Sequence, residues 1–147
     1  MKKFMLFLCA TCASLASFAD PSNTLLTGFA ARFPGVESVQ WSETNSGYMA
    51  YYKTTADVTV RVFYDKRERF QYVAKTYGQS LLPDNMKRVL KNEYRGFKVN
   101  SVTECSNETG TNYYVLLESK KKICRVRYTG DGEESQILER FNVAPAE

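Results

Sequence analysis

Candidate catalytic and metal-binding residues are scarce in this chain of 147 residues, which contains no histidine. Histidine is the commonest general base, the usual partner of serine and cysteine nucleophiles, and a frequent zinc ligand. An acidic group at Asp131, Glu133 and Glu134 lacks the ligand spacing of a calcium loop. The segment from Gly130 to Gly132 lies between strand patterns, whereas a phosphate-binding loop leads into a helix. We therefore expect a protein that is not an enzyme and that has no catalytic residues, metal or cofactor.

Aromatic and arginine side chains are more informative, because these residue types are enriched at the energetic centres of protein interfaces. Val60 and Val62 alternate with other residues along one predicted strand, so their neighbours point to the opposite face of the sheet. The residues that we assign to that opposite face are Tyr51, Arg61, Phe63, Tyr113, Arg125 and Arg127. We interpret them as a candidate partner-binding surface. An ordinary solvated sheet face is the alternative.

Residues 1–19 have the pattern of a secretory signal peptide. Lys2 and Lys3 precede an apolar stretch, and residues 17–19 place small side chains at the positions that a signal peptidase reads. The apolar stretch falls short of the ~20 residues that cross a bilayer, and no later segment comes close. We expect cleavage before Asp20, no transmembrane segment after it, and a periplasmic or secreted chain.

The charge balance of the mature chain is nearly neutral. Loss of Lys2 and Lys3 leaves 18 of the 20 basic residues against 16 acidic ones, a net charge of about +2. The longest basic block is the three-lysine run at residues 120–122. A nucleic-acid-binding protein needs a basic patch or stripe, so we expect no nucleic-acid partner.

Two cysteines, Cys105 and Cys124, remain in the mature chain. Export to an oxidising compartment favours a disulfide between them. In a meander of antiparallel strands, however, they lie at opposite ends of the sheet with a strand between them, and a bridge requires Cα atoms within ~7 Å. Cys124 also aligns with Val60, a predicted core position. We favour two free thiols and leave the disulfide as the alternative.

Helical and strand patterns follow each other twice along the chain. Short amphipathic helices are predicted over 25–33, after Ser22 or Asn23 as N-cap, and over 84–94. Eight stretches rich in β-branched and aromatic residues predict strands, because turn-like or polar residues separate them. The strands span 39–43, 48–53, 58–64, 70–76, 97–104, 113–119, 123–128 and 136–141. Their short connections favour antiparallel neighbours.

The second half of the chain repeats the first at an offset of about 64 residues. Residues 33–39, 48–52 and 60–65 recur as 94–102, 113–117 and 124–129. Such a period is longer than most solenoid repeats and indicates a duplicated module. We therefore expect an α+β fold, a tandem duplication of a helix plus four-stranded antiparallel sheet unit. The first unit spans 20–80 and the second 81–147.

The order and spacing of several short motifs resemble those of a known family. The motifs are Trp41, Tyr48-x-Ala50-x-Tyr52, Val62-Phe63-x-Asp65, Leu82-Pro83 before a helix, Tyr114-Val115-x-Leu117 and Tyr128-x-Gly130-x-Gly132. In this arrangement the chain resembles the PepSY-like, β-lactamase-inhibitor-like secreted proteins of Bacteroides-type bacteria. The resemblance implies an exported domain built like a β-lactamase inhibitor protein, in a family whose members mostly have no assigned activity.

The predicted function is that of an exported, non-catalytic binding module for a protein or peptide of the cell envelope. Inhibition of an envelope hydrolase is only a candidate function. The resemblance that suggests it concerns the fold, and fold alone is a weak guide to function. The alternative is a binder of a small ligand or envelope component, with a pocket between helix and sheet.

Overall fold

The computed structural model describes residues 20–130 and 135–142. The predicted signal peptide and the acidic residues Asp131, Glu133 and Glu134 lie outside this part of the chain. The helices are α1 (Asn23–Arg32) and α2 (Asp84–Glu93), with a 3₁₀ turn at Gln79–Leu81 before α2. The strands are β1 (Gln40–Thr44), β2 (Gly47–Lys53), β3 (Thr59–Asp65), β4 (Phe70–Tyr77), β5 (Lys98–Asn107), β6 (Gly110–Glu118), β7 (Lys122–Thr129) and β8 (Ser135–Asn142).

These strands form one continuous antiparallel sheet, which corrects the fold class expected from the sequence. The strands pair in chain order from β1 to β8. β4 and β5, which the expected duplication placed in different units, pair from Val73 with Ser106 to Tyr77 with Val102. The expectation of a tandem helix plus four-stranded sheet duplication was wrong, since the described chain is mostly β with two α-helices. Pairing β4 with β5 satisfies backbone groups that two separate sheets would leave at exposed edges.

Both helices cover the same face of the sheet. Leu25 and Phe29 of α1 are buried in one apolar cluster with residues of β2 and β3, including Val60. Met86 and Leu90 of α2 are buried in a second cluster with residues of β4 to β7. Val58 packs against both clusters, so the core continues from one helix to the other. We call this covered side the helix face and the other side the open face.

Buried tyrosines add polar links to the helix face. The Tyr128 hydroxyl of β7 donates a 2.8 Å hydrogen bond to Glu93 at the end of α2. The Tyr77 hydroxyl of β4 donates a bond of 2.8 Å to Glu104 of β5. Burial raises the pKa of both phenols most, and the hydrogen bond to each carboxylate raises it further. These contacts connect α2 to the sheet and β4 to β5.

The two cysteines lie on opposite faces of the sheet, and both thiols are free. Cys124 is 1% exposed, and it pairs in register with the buried Leu117. Cys105 is half-buried and pairs with Ala74 and Asn112. The predicted core position of Cys124 is confirmed.

Replacing Cys124 with valine should be nearly neutral. Both side chains are small and apolar, so Cys124→Val should cost less than about 1.5 kcal/mol of unfolding free energy as a volume-conserving change. Leu117→Ala, at the adjacent core position, should cost about 2–5 kcal/mol through the cavity that it leaves. Urea unfolding at constant m-value measures both. A loss of several kcal/mol for Cys124→Val only under oxidising conditions would contradict the free thiol.

A second prediction compares two glycines that follow two-residue hairpin turns. Gly47 and Gly110 have φ angles of +148° and +149°, which favour glycine. A β-carbon at Gly47 would overlap backbone atoms of Tyr64 and Asp65, whereas one at Gly110 meets nothing within 4 Å. Gly110→Ala should therefore cost about 1–3 kcal/mol of backbone strain, and Gly47→Ala a further ~1–3 kcal/mol of steric conflict. Equal urea midpoints for the two variants would disprove the close approach of β2 to β3.

Candidate protein-interaction surface

The open face brings most of the sequence-predicted site residues onto one surface. One transverse row runs from Tyr51 through Arg61, Ala74 and Cys105 to Asn112. A parallel row consists of Thr76, Thr103, Tyr114 and Arg127. Phe63 pairs with Tyr72 beside the first row, and Leu116 pairs with Arg125 beside the second. Residues from both halves of the chain therefore share this face.

Aromatic stacking orders the β2 to β4 part of the open face. The rings of Phe63 and Tyr72 are stacked, with centroids 4.4 Å apart and planes 20° apart. The Arg61 guanidinium lies over the Tyr51 ring at 5.7 Å from its centroid. Contacts of these kinds hold the side chains in place before any partner arrives, which reduces the entropy that binding would cost.

The β5 to β7 part is more polar. A shallow depression of about 260 Å³ is lined by Ser101, Thr103, Tyr114, Leu116 and Arg125. Arg125 forms an ion pair with Glu139 of β8, with 3.2 Å between Nη1 and Oε2. The Thr76 and Thr103 hydroxyls are 3.2 Å apart and share a hydrogen bond across the β4–β5 junction. This region presents hydrogen-bonding groups around an apolar side chain.

Tyr113 does not belong to the open face, and the sequence assignment of this residue is corrected. It is 8% exposed and lies in the α2 core cluster. Along β6, Tyr113, Val115 and Leu117 share one side of the strand and are all buried. The period of two therefore places Tyr113 with the two apolar residues, and Tyr114 faces outward instead.

Sequence reasoning missed several residues that surround the predicted ones. Tyr72, Tyr114, Cys105 and Leu116 all share the open face with Arg61 and Phe63 by strand register. The signal for Tyr72 and Tyr114 was present in the sequence, since each precedes a buried or half-buried valine and so points the opposite way. Their position next to Cys105 required the β4–β5 pairing.

Cys105 lies in a shallow depression of about 310 Å³ at the junction of the two halves. Tyr72, Asn112 and Tyr114 also line this depression. Burial raises the pKa of the Cys105 thiol most, and the negative charge of Glu104 raises it further. A protonated thiol is a weak nucleophile, so the raised pKa makes Cys105 less reactive at neutral pH than an ordinary cysteine.

Metal binding and membrane spanning were the other two properties that the described residues could have shown. Within residues 20–130 and 135–142, no three side chains among cysteine, aspartate and glutamate are grouped so that they could hold a metal ion. Over the same residues, no helix has the length and apolar character needed to span a bilayer.

Solved structures from Bacteroides share this fold. A DUF2874 family protein from Bacteroides ovatus superposes with a TM-score of 0.69 at 16% identity, covering 84% of this chain and 89% of its own. A BLIP-like protein from Bacteroides fragilis gives a TM-score of 0.69 at 16% identity, covering 88% and 92%. A predicted periplasmic protein from Bacteroides eggerthii gives 0.67 at 14% identity, covering 84% and 90%.

These similarities confirm the predicted likeness to β-lactamase-inhibitor-like proteins of Bacteroides at the level of fold. No protein-family model and no curated protein matches the sequence. The likeness to PepSY-like proteins stays a prediction. Identities of 14–16% are too low to transfer a residue's role, so the open face must be argued from its own side chains.

The state of Cys105 leads to a prediction about alkylation. Because its pKa is raised, the alkylation rate of Cys105 by iodoacetamide should still be increasing above pH 9, where an ordinary cysteine with a pKa near ~8.5 is mostly ionised. Cys124 should react only after unfolding, since it is buried. Pulsed alkylation read by mass spectrometry checks both in a chain that begins at Asp20. A midpoint of the pH–rate curve for Cys105 at or below ~8.5 would contradict the raised pKa.

Proposed function

We propose that this chain is an exported, non-catalytic module that binds a protein or peptide of the cell envelope through its open face. The observation that carries the proposal is the one-sided architecture. Both helices cover one face of the sheet, and the other presents Tyr51, Arg61, Phe63, Tyr72 and Arg127 together. Tyrosine and arginine are the residue types that contribute most to interface hot spots.

The charges of the open face indicate the chemistry of the partner. Within the described residues, Arg61 and Arg127 have no ion pair, whereas Arg125 pairs with Glu139. Carboxylates of a partner would complement these arginines, and aromatic or aliphatic side chains would pack on the Phe63 and Tyr72 rings. A narrower form of the proposal is that the partner is an envelope hydrolase that the module inhibits. Its support is the shared fold with the BLIP-like protein.

Truncation of the open face should abolish capture of the partner without unfolding the module. Tyr51→Ala, Phe63→Ala and Arg125→Ala remove exposed or half-buried side chains, so each should cost about 1 kcal/mol of stability or less. Truncating a residue at the centre of an interface hot spot costs ~2 kcal/mol or more of binding free energy, which raises Kd about 30-fold. The parent chain is used to retrieve a partner from periplasmic extract, and calorimetry with the purified partner measures each variant.

Leu26→Ala and Arg88→Ala are the matched controls, because both side chains are exposed and belong to the helices that cover the helix face. They should bind like the parent. Bound partner should also protect Cys105 from alkylation, since Cys105 lies in the same row as Arg61. If all three open-face variants keep the parent affinity, this face is not the binding surface. The hairpin turns at 45–47 and 107–110 would then become the better candidates.

A further inference from the structure

A concave site also lies on the helix face, between the end of α2 and β5. It has a volume of about 490 Å³, within the ~300–1,000 Å³ typical of small-molecule sites. Its apolar lining, which we call the floor, consists of Leu90, Tyr94, Phe97, Val99 and Leu117. The open face is on the other side of the sheet, so the two sites are separate. We call this site the α2 cavity.

The floor of the α2 cavity is preformed. Leu90 and Leu117 are 4% and 1% exposed and belong to the core itself. Tyr94 and Phe97 meet edge to face, with ring centroids 5.8 Å apart and planes 89° apart. The Phe97 backbone N–H donates a 3.1 Å bond to the Tyr94 carbonyl and so fixes the turn between them. The partly buried rings leave apolar surface facing the cavity.

Three cations line the cavity together with these apolar residues. Lys87 and Lys91 are four residues apart and so share one side of α2, and Arg95 follows the helix end. No carboxylate is among the lining residues. Lys87 lies 3.1 Å from Asp84, but Lys91 and Arg95 have no ion pair within the described part of the chain. Cations at a helix end also stabilise its dipole, so the charge alone would not indicate a ligand. The presence of apolar residues and unpaired cations in the lining of one cavity does.

We propose that the α2 cavity binds a free fatty acid. The acyl chain lies on the Tyr94, Phe97 and Val99 surface, and the carboxylate is held by Lys91 and Arg95. The chemistry follows from an apolar floor that shares the cavity with two unpaired cations, Lys91 and Arg95, and this combination suits an amphiphile with one anionic group. The cavity is of drug-like size, so it suits one acyl chain rather than a two-chain lipid.

The test is isothermal titration of the chain beginning at Asp20 with dodecanoate below its micellar concentration. Dodecan-1-ol carries the same chain without charge and should bind about tenfold more weakly or worse, since it cannot pair with the cations. Lys91→Glu with Arg95→Glu should weaken dodecanoate binding by about tenfold or more. Lys66→Glu with Arg67→Glu is the matched control, because it makes the same charge change at the exposed β3–β4 turn. It should bind like the parent.

Amide chemical shifts should change on dodecanoate binding at Leu90, Phe97 and Val99, and not at Tyr51 or Phe63. The proposal is overturned if the natively folded chain does not bind dodecanoate, or if the two double charge reversals weaken dodecanoate binding equally. It is also overturned if dodecan-1-ol binds as tightly as dodecanoate, or if the shift changes centre on the open face. A tenfold preference for dodecyl phosphate over dodecanoate would show that the cavity selects a phosphate head group, and this result would overturn the proposal as well. Tyr51→Ala should bind dodecanoate like the parent, which separates this test from that of the open face.

Discussion

The pairing of β4 with β5 is the contact on which the rest of this structure depends. It joins the strands of both halves into one sheet, from Val73 with Ser106 to Tyr77 with Val102. The row from Arg61 through Ala74 to Cys105 crosses this junction, so side chains from β3 and β5 become neighbours on one surface. Two separate sheets would place them on different surfaces and would leave additional backbone edges unpaired.

The period of two along each strand then divides the chemistry of the molecule between two faces. Apolar side chains such as Val62 and Val126 meet the helices, while Arg61 and Arg127 point to solvent. The same rule separates the two thiols, because Cys124 belongs to the core and Cys105 to the open face. It also separates the two proposed sites. A protein partner on the open face and an acyl chain beside α2 would contact different residues, so each can be tested in the presence of the other.

Much of the local structure was predictable, and the errors have identifiable causes. The predicted helices and strands lie within a few residues of the observed ones, because amphipathic periods and turn residues are local signals. Five of the six predicted site residues occupy the open face by register. Tyr113 was misplaced although Val115 and Leu117 already indicated its side. Tyr72 and Tyr114 were missed because the alternation was followed from Val60 and Val62 and not along the strands β4 and β6 themselves.

By itself, the amino-acid sequence determined the type of each element and which side of each strand is apolar, since both depend on residues close together in the chain. Only the tertiary structure decided that β4 pairs with β5, that the described strands form one sheet, and that Cys105 lies near Tyr72 and Tyr114. It also placed the end of α2 over β5 and so formed the α2 cavity. The reason is that hydrogen bonds between distant strands, and the gap left between a helix and a sheet, depend on non-local contacts that no local periodicity encodes.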